Sequence, residues 1–378
     1  MKKLFKITFL VLLILFWPGR IFSQEFHPEP KTLTIGSKAP DFDLPGVDGK
    51  TYSLKDFSKA KVLVIIFSCN HCPTAQAYED RIIALAKDYK PKDVSVVMIS
   101  PNSLNGLNLS ELGYSDMGDS FEEMKMRAED KGFPFPYLYD GDDQKTALAY
   151  GPVATPHCFV FDKNRMLCYV GRVDGSEKPG TGKSEDLRNA IDTVLTGNPV
   201  KNPVTKVFGC SIKWSWKDEY TKKLYKQWSE LPVTLEEIDV EGVKSLIKNT
   251  SSDKLRLINI WATWCGPCIM EFPDLVIIDR MYRKRPFEFI TISADKPEKK
   301  ADVLNFLKAK EASNKNFIFN KDDVYQLIEA VDPDWQGGLP YTLLIEPGGN
   351  IIYKKQDIIN PREIKKLIVE NKNIGRYY

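Results

Sequence analysis

Two Cys-x-x-Cys motifs, Cys69-Asn-His-Cys72 and Cys265-Gly-Pro-Cys268, constrain this chain more than any other feature. Each follows an apolar run and precedes an amphipathic stretch. Residues 61–67 (Lys-Val-Leu-Val-Ile-Ile-Phe) and 255–261 (Leu-Arg-Leu-Ile-Asn-Ile-Trp) read as strands covered on both faces of a sheet. Residues 74–89 and 269–283 read as the helices that follow, and 94–100 and 287–293 as the next strands. Strand, helix, strand at this spacing is a βαβ unit with a parallel sheet. The plan occurs twice, and 378 residues suit two domains. The expected fold class is therefore α/β, two domains, each a central mixed β-sheet flanked by helices.

The flanking signals agree. Residues 36–44 and 49–54 read as two short strands around Val47-Asp48-Gly49. Residues 120–131 read as a helix with Ser120 and Glu123 placed as a capping box. Strands at 158–162 and 166–171 flank Lys163-Asn164, and a helix over 184–196 ends the first half. The second half repeats a hairpin at 342–346 and 351–355, then a helix over 361–371. Between the halves, 198–203 is a Pro/Asn linker, and 204–230 is basic with Trp214, Trp216 and Trp228, expected to pack between domains. The domain expectation is 1–23 signal, 33–200 first domain, 201–230 connecting element and 231–378 second domain.

Hydrophobic residues at 43% and charged residues at 28% allow real cores and exclude disorder. The net charge of +2 owes Lys2, Lys3, Lys6 and Arg20 to residues 1–23, which hold no acid. The rest is close to neutral, which gives no electrostatic case for nucleic acid or an anionic membrane. A charged start, an apolar run over 5–17, Pro18-Gly19 and Ser23 read as a cleaved secretory signal; the alternative is a retained anchor. An exported location, periplasmic or beyond, is one where disulfides form and persist.

The motif position has a chemical purpose. A helix start presents unpaired amides and a partial positive charge, favouring thiolate at the first Cys. That thiolate attacks a partner disulfide, and the second Cys, one turn on, resolves the mixed disulfide. A zinc site at Cys265/Cys268 needs two further ligands, and no His lies in this half, so no metal is expected. No nicotinamide or flavin fingerprint is present, so no cofactor is expected.

Asn-Ile-Trp-Ala-Thr-Trp-Cys-Gly-Pro-Cys at 259–268, Glu271-Phe-Pro273 and Gly338-Leu-Pro340 resemble thioredoxins and, more closely, the exported TlpA/ResA-like reductases over about residues 231–370. The resemblance implies a thioredoxin-like fold, Cys265 as nucleophile, Cys268 as resolver and Pro340 as a cis-proline that turns its neighbour's backbone toward a bound peptide. Asn259 departs from the pattern, since thioredoxins usually carry a proton-handling Asp there. Glu271, on the same helical face as Cys268, is assigned that task; the alternative is a solvated first-turn Glu.

Ala39-Pro-Asp-Phe42, Cys69-Asn-His-Cys-Pro73, Phe135-Pro-Tyr-Leu-Tyr-Asp140, Thr155-Pro-His157, Gly171-Arg-Val-Asp174 and Gly209-Cys-Ser-Ile-Lys-Trp214 resemble a peroxiredoxin-like branch of the AhpC/TSA (redoxin) superfamily over about 33–216. This implies a second thioredoxin-like domain with Pro156 as its cis-proline. Ile66 stands where a peroxiredoxin places Thr, so no hydroxyl is expected beside Cys69. His71, as in DsbA-like sites, is expected to stabilise the Cys69 thiolate and raise the potential. Cys210 is a possible third redox thiol, otherwise a packed one. Cys158 and Cys168 are read as free thiols or a cross-strand pair, and His157 as tuning Cys69 or a plain loop His.

The expected activity is disulfide exchange on disulfide-containing exported proteins through both pairs, with electrons from an unidentified thiol donor. The rivals are a thiol peroxidase in the first domain recharged by the second, and a first domain that only docks partners.

Overall fold

The computed structural model describes residues 30–375; the signal expected over 1–23 lies outside them. Among the described residues no helix is long and apolar enough to cross a membrane. In chain order the first half holds β1 (Asp43–Pro45), β2 (Thr51–Ser53), β3 (Val62–Phe67), α1 (Pro73–Tyr89), β4 (Val94–Ser100), α2 (Phe121–Lys131), β5 (Tyr137–Tyr139), α3 (Lys145–Tyr150), β6 (Ala154–Thr155), β7 (His157–Phe161), β8 (Leu167–Gly171) and α4 (Glu185–Leu195). Then come β9 (Cys210–Ser211) and α5 (Asp218–Ser229). The second half holds β10 (Glu236–Ile238), α6 (Val240–Lys248), β11 (Leu255–Trp261), α7 (Gly266–Tyr282), β12 (Phe287–Ser293), α8 (Lys300–Ala309), β13 (Lys315–Phe319), α9 (Val324–Val331), β14 (Tyr341–Ile345), β15 (Ile351–Gln356) and α10 (Pro361–Glu370).

Each half is a mixed sheet between helices. The first orders its strands β5-β4-β3-β7-β8 and the second β10-β13-β12-β11-β14-β15. In each, the strand before the Cys motif is central, with a parallel neighbour on one side and an antiparallel one on the other. All of β3 and β11 is buried. Along β3 the side chains alternate: Val62, Val64 and Ile66 pack with α1 and α4, while Leu63, Ile65 and Phe67 join the opposite core. Each such burial contributes roughly 1.5–3 kcal/mol. The capping box at Ser120 and Glu123 starts α2. The short elements β10, β13 and α9 are three to eight residues long, too short for a sequence pattern to stand out.

The halves meet along one edge. Leu107 and Leu112, from the segment after β4, share a core with Ile278, Met281 and Tyr282 at the end of α7. The Tyr282 hydroxyl donates to the Ser115 carbonyl at 2.6 Å. Arg285 donates to the Gly113 carbonyl at 2.7 Å and covers the Tyr114 ring. Residues 204–230 cross this edge. Trp214 packs in the first core, stacked on Trp216, and Trp228 lies under Arg280 and Arg283 of the second half.

Candidate redox sites

In the second half, Cys265 is the N-cap of α7: its Sγ accepts the Cys268 N–H at 3.2 Å. Cys265 and Cys268 form a disulfide. The loop before it is tied down, because Thr263 donates through N–H and hydroxyl to Asp295 at 2.8 and 2.6 Å. The sulfurs are buried, yet Trp264 and Met270 beside them are 71% and 65% exposed, an apolar rim around the pair. The Leu339–Pro340 peptide is cis.

Glu271 is buried one turn beyond Cys268. Asn259 donates to one of its carboxyl oxygens at 2.8 Å and the Ile359 N–H to the other at 2.8 Å. Burial pushes its carboxyl up to about 7, the two hydrogen bonds opposing. The solvated-Glu alternative is thus excluded, and Asn259, the departure from the thioredoxin pattern, is what holds Glu271.

The first half differs in register. Here the second Cys of the motif, Cys72, is the N-cap, its Sγ accepting the Ala75 N–H at 3.4 Å, with Pro73 at the first helical position. The helix field therefore acts on Cys72 rather than on Cys69. His71 donates through Nδ1 to Asp119 at 2.6 Å, both fully enclosed. Asp119 also accepts the N–H groups of Asn70 and His71 and the Asn102 amide. Burial opposes charge on both partners, but each holds the other ionised: His71 is raised and Asp119 lowered. Burial also pushes the Cys72 thiol up, but hydrogen bonds from Cys210 and Cys69, the His71 charge and the Ala75 N–H bring it well below its ordinary value. Cys69 goes the other way, raised by burial, its hydrogen bond to Cys72 and the Asp119 charge. The sequence reading set the thiolate on Cys69; the capping geometry instead puts Cys72 at the helix start, and the directions of the two shifts follow that placement. Pro73 was the signal that could have revealed it, since proline favours the first position of a helix.

Other expectations are also resolved. A hydroxyl does stand beside Cys69, from Thr155 at 3.2 Å rather than from position 66. Pro156 follows a cis bond from Thr155. His157 is neutral, burial pushing it down to about 4, with Nδ1 accepting the Val153 N–H. Cys158 and Cys168 are both free, and the strand register sets Gly171, not Cys168, opposite Cys158. Cys210 does reach the site: its N–H donates to Cys72 Sγ at 3.3 Å. Cys69 Sγ, a His71 ring nitrogen and an Asp119 oxygen lie within 4.8 Å of one another, the one cluster among the described residues with metal-ligand chemistry.

Residues 35–170 match the AhpC/TSA family and residues 229–368 match Redoxin. Thiol-disulfide oxidoreductase ResA of Geobacillus thermodenitrificans is 24% identical over 195 residues, 51% of this chain and 97% of that protein. ResA of Bacillus subtilis is 32% identical over 95 residues, 25% of this chain and 49% of that protein. A solved structure of an uncharacterized conserved protein from Geobacillus kaustophilus is 39% identical, covering 48% of this chain and 92% of that chain with a TM-score of 0.42. The chain therefore carries two domains in tandem, an AhpC/TSA-family domain over residues 35–170 and a Redoxin-family domain over residues 229–368.

Proposed function

We propose that this thiol-disulfide oxidoreductase exchanges disulfides with exported proteins through both of its Cys-x-x-Cys sites, Cys265/Cys268 acting chiefly as the reductant. The observation that carries this reading is a Cys pair at the start of α7, buried but rimmed by the exposed Trp264 and Met270. An apolar rim suits an unfolded or extended protein segment. In this reading the Cys265 thiolate attacks the partner disulfide, and Cys268 resolves the mixed disulfide after losing its proton to Glu271.

A pH dependence follows. Glu271 takes a proton only when ionised, so the resolving step should quicken as pH rises through about 7. Stopped-flow reduction of a protein disulfide from pH 5 to 9 should show that inflection, and Glu271→Gln should flatten it. An unchanged inflection in the variant would assign it elsewhere.

The first site is the more oxidising one in this proposal. His71 and the helix start stabilise the Cys72 thiolate, which favours the reduced form and raises the potential. A glutathione titration of the full chain, with each pair read by alkylation and mass spectrometry, tests it. Both pairs should titrate between about −270 and −120 mV, with Cys69/Cys72 less negative. Equal potentials would refute the order. If only Cys265/Cys268 titrates, the first domain is a docking module.

The layout supports separate partners for the two sites. The first domain docks at the C-terminal end of α7, while Cys265 caps the other end. A 17-residue helix rises about 25 Å between them, and exchange needs sulfurs in contact. A second reading, thiol peroxidase, is favoured only by the Thr155 hydroxyl near Cys69. Burial keeps that thiol protonated, so it speaks against the reading.

A further inference from the structure

We propose that Cys210 is the outward-facing thiol of a three-cysteine relay, forming an alternative disulfide with Cys72 and offering partners the sulfur they attack. This rests on the reading that the first site is redox-active. It begins with placement. Strand β9 pairs antiparallel with β6, setting Cys210 opposite Thr155 and Ser211 opposite Ala154. Thr155 precedes Pro156, the position where a bound peptide would lie. It is also the hub of the sulfurs. Its hydroxyl meets Cys69 Sγ at 3.2 Å, its carbonyl oxygen lies 3.3 Å from Cys72 Sγ, and Cys72 Sγ accepts the Cys210 N–H at 3.3 Å. The chain's own cysteine thus occupies the place of a partner's cysteine.

Gly209 permits the approach. Its φ is +135°, and a Cβ there would sit 2.0 Å from the Thr155 carbonyl oxygen. Among the described residues no strand pairs with Leu339, the residue before Pro340 in the second site, so the cover is particular to the first.

Access points the same way. Cys69 and Cys72 are 2% and 0% exposed. Cys210 is half-buried and lines a cleft of about 350 Å³ together with His71, Pro73, Glu111 and Lys213. A partner entering that cleft meets Cys210 first.

The steps balance. From a Cys69–Cys72 disulfide, Cys210 gives its proton to water as its sulfur attacks Cys72 Sγ. The Cys72–Cys210 bond forms, the Cys69–Cys72 bond breaks, and Cys69 takes up a proton; no electrons enter or leave. A thiolate of a partner dithiol then attacks Cys210 Sγ, and Cys72 departs as thiolate. The Ala75 N–H at the start of α1 receives that departing sulfur. The partner's second thiol, losing its proton, displaces Cys210, which is reprotonated. The partner leaves as a disulfide, and its two electrons remain on Cys72 and Cys210.

The test uses the full chain carrying Cys265→Ser and Cys268→Ser, so that pair cannot exchange. Non-reducing peptide mapping in glutathione buffer should find Cys69–Cys72 and Cys72–Cys210 linkages. With Cys69→Ser added, Cys72–Cys210 should dominate, and the glutathione adduct should sit on Cys210. Gly209→Ala in that protein should lower the linked fraction severalfold. Glutathione on Cys72 with Cys210 free, in the Cys69→Ser protein, would overturn the relay. A Cys69–Cys72 linkage with no Cys72–Cys210 linkage would sink the relay alone. Neither linkage would sink the redox reading of the first site as well.

Discussion

Replacing Cys265 by serine is expected to lower reduction of a protein disulfide by on the order of 10³-fold or more, the usual scale for removing a covalent nucleophile. The field at the start of α7 can stabilise a thiolate, but a serine hydroxyl does not ionise near neutral pH. Cys268 cannot substitute, since it is fully buried beneath Cys265. The companion change, Cys268→Ser, should leave Cys265 competent to attack and unable to be released. It should accumulate a mixed disulfide visible as a mass shift without reductant. Turnover with a dithiol donor measures the first effect. A loss smaller than about tenfold would mean that Cys69/Cys72 carries the activity instead.

Asp119→Ala should be the most destabilising change at the first site, by about 3–5 kcal/mol. Asp119 is fully buried and accepts from two backbone N–H groups, the His71 ring and the Asn102 amide. Truncation leaves these donors without an acceptor and the imidazole without its counter-charge. Denaturant unfolding should show the lost stability. The pH dependence of that loss has a sign. Asp119 is lowered, so its contribution is present above the ordinary carboxylate value of about 4 and lost as pH falls. His71 is raised, so its contribution is present below about 6.5 and lost as pH rises through its folded value. The gap between wild type and variant should therefore be widest between about pH 4 and 6.5 and narrow on either side. Cys72 should also lose its support, and its thiolate should titrate at higher pH in the variant. A stability loss under about 1 kcal/mol would show that the pair is not the anchor of this site.

Much of the fold was legible because local pattern encodes it. The apolar runs before Cys69 and Cys265 had to be central strands, since nothing else buries both faces of so short a segment. The capping box at Ser120 and the helical stretches after each motif were likewise matters of neighbouring residues. The C-terminal pair was legible for the same reason: Cys265, Gly266, Pro267 and Cys268 form their own helix start.

The first site was only half legible. Its four motif residues stood out, but the partners that set their chemistry come from far along the chain. Asp119 and Asn102 arrive from the segment after β4, Thr155 from β6, and Cys210 from β9 beyond α4. Glu271 was found by spacing, yet what holds it, Asn259 and the Ile359 N–H, lies on two other elements. The sequence alone determined that there would be two sheets with a Cys pair at the end of a central strand in each. Tertiary structure decided which sulfur caps a helix and which lines an open cleft. Those outcomes depend on burial and on satisfying buried donors and acceptors across long separations, and neither leaves a local periodicity to read.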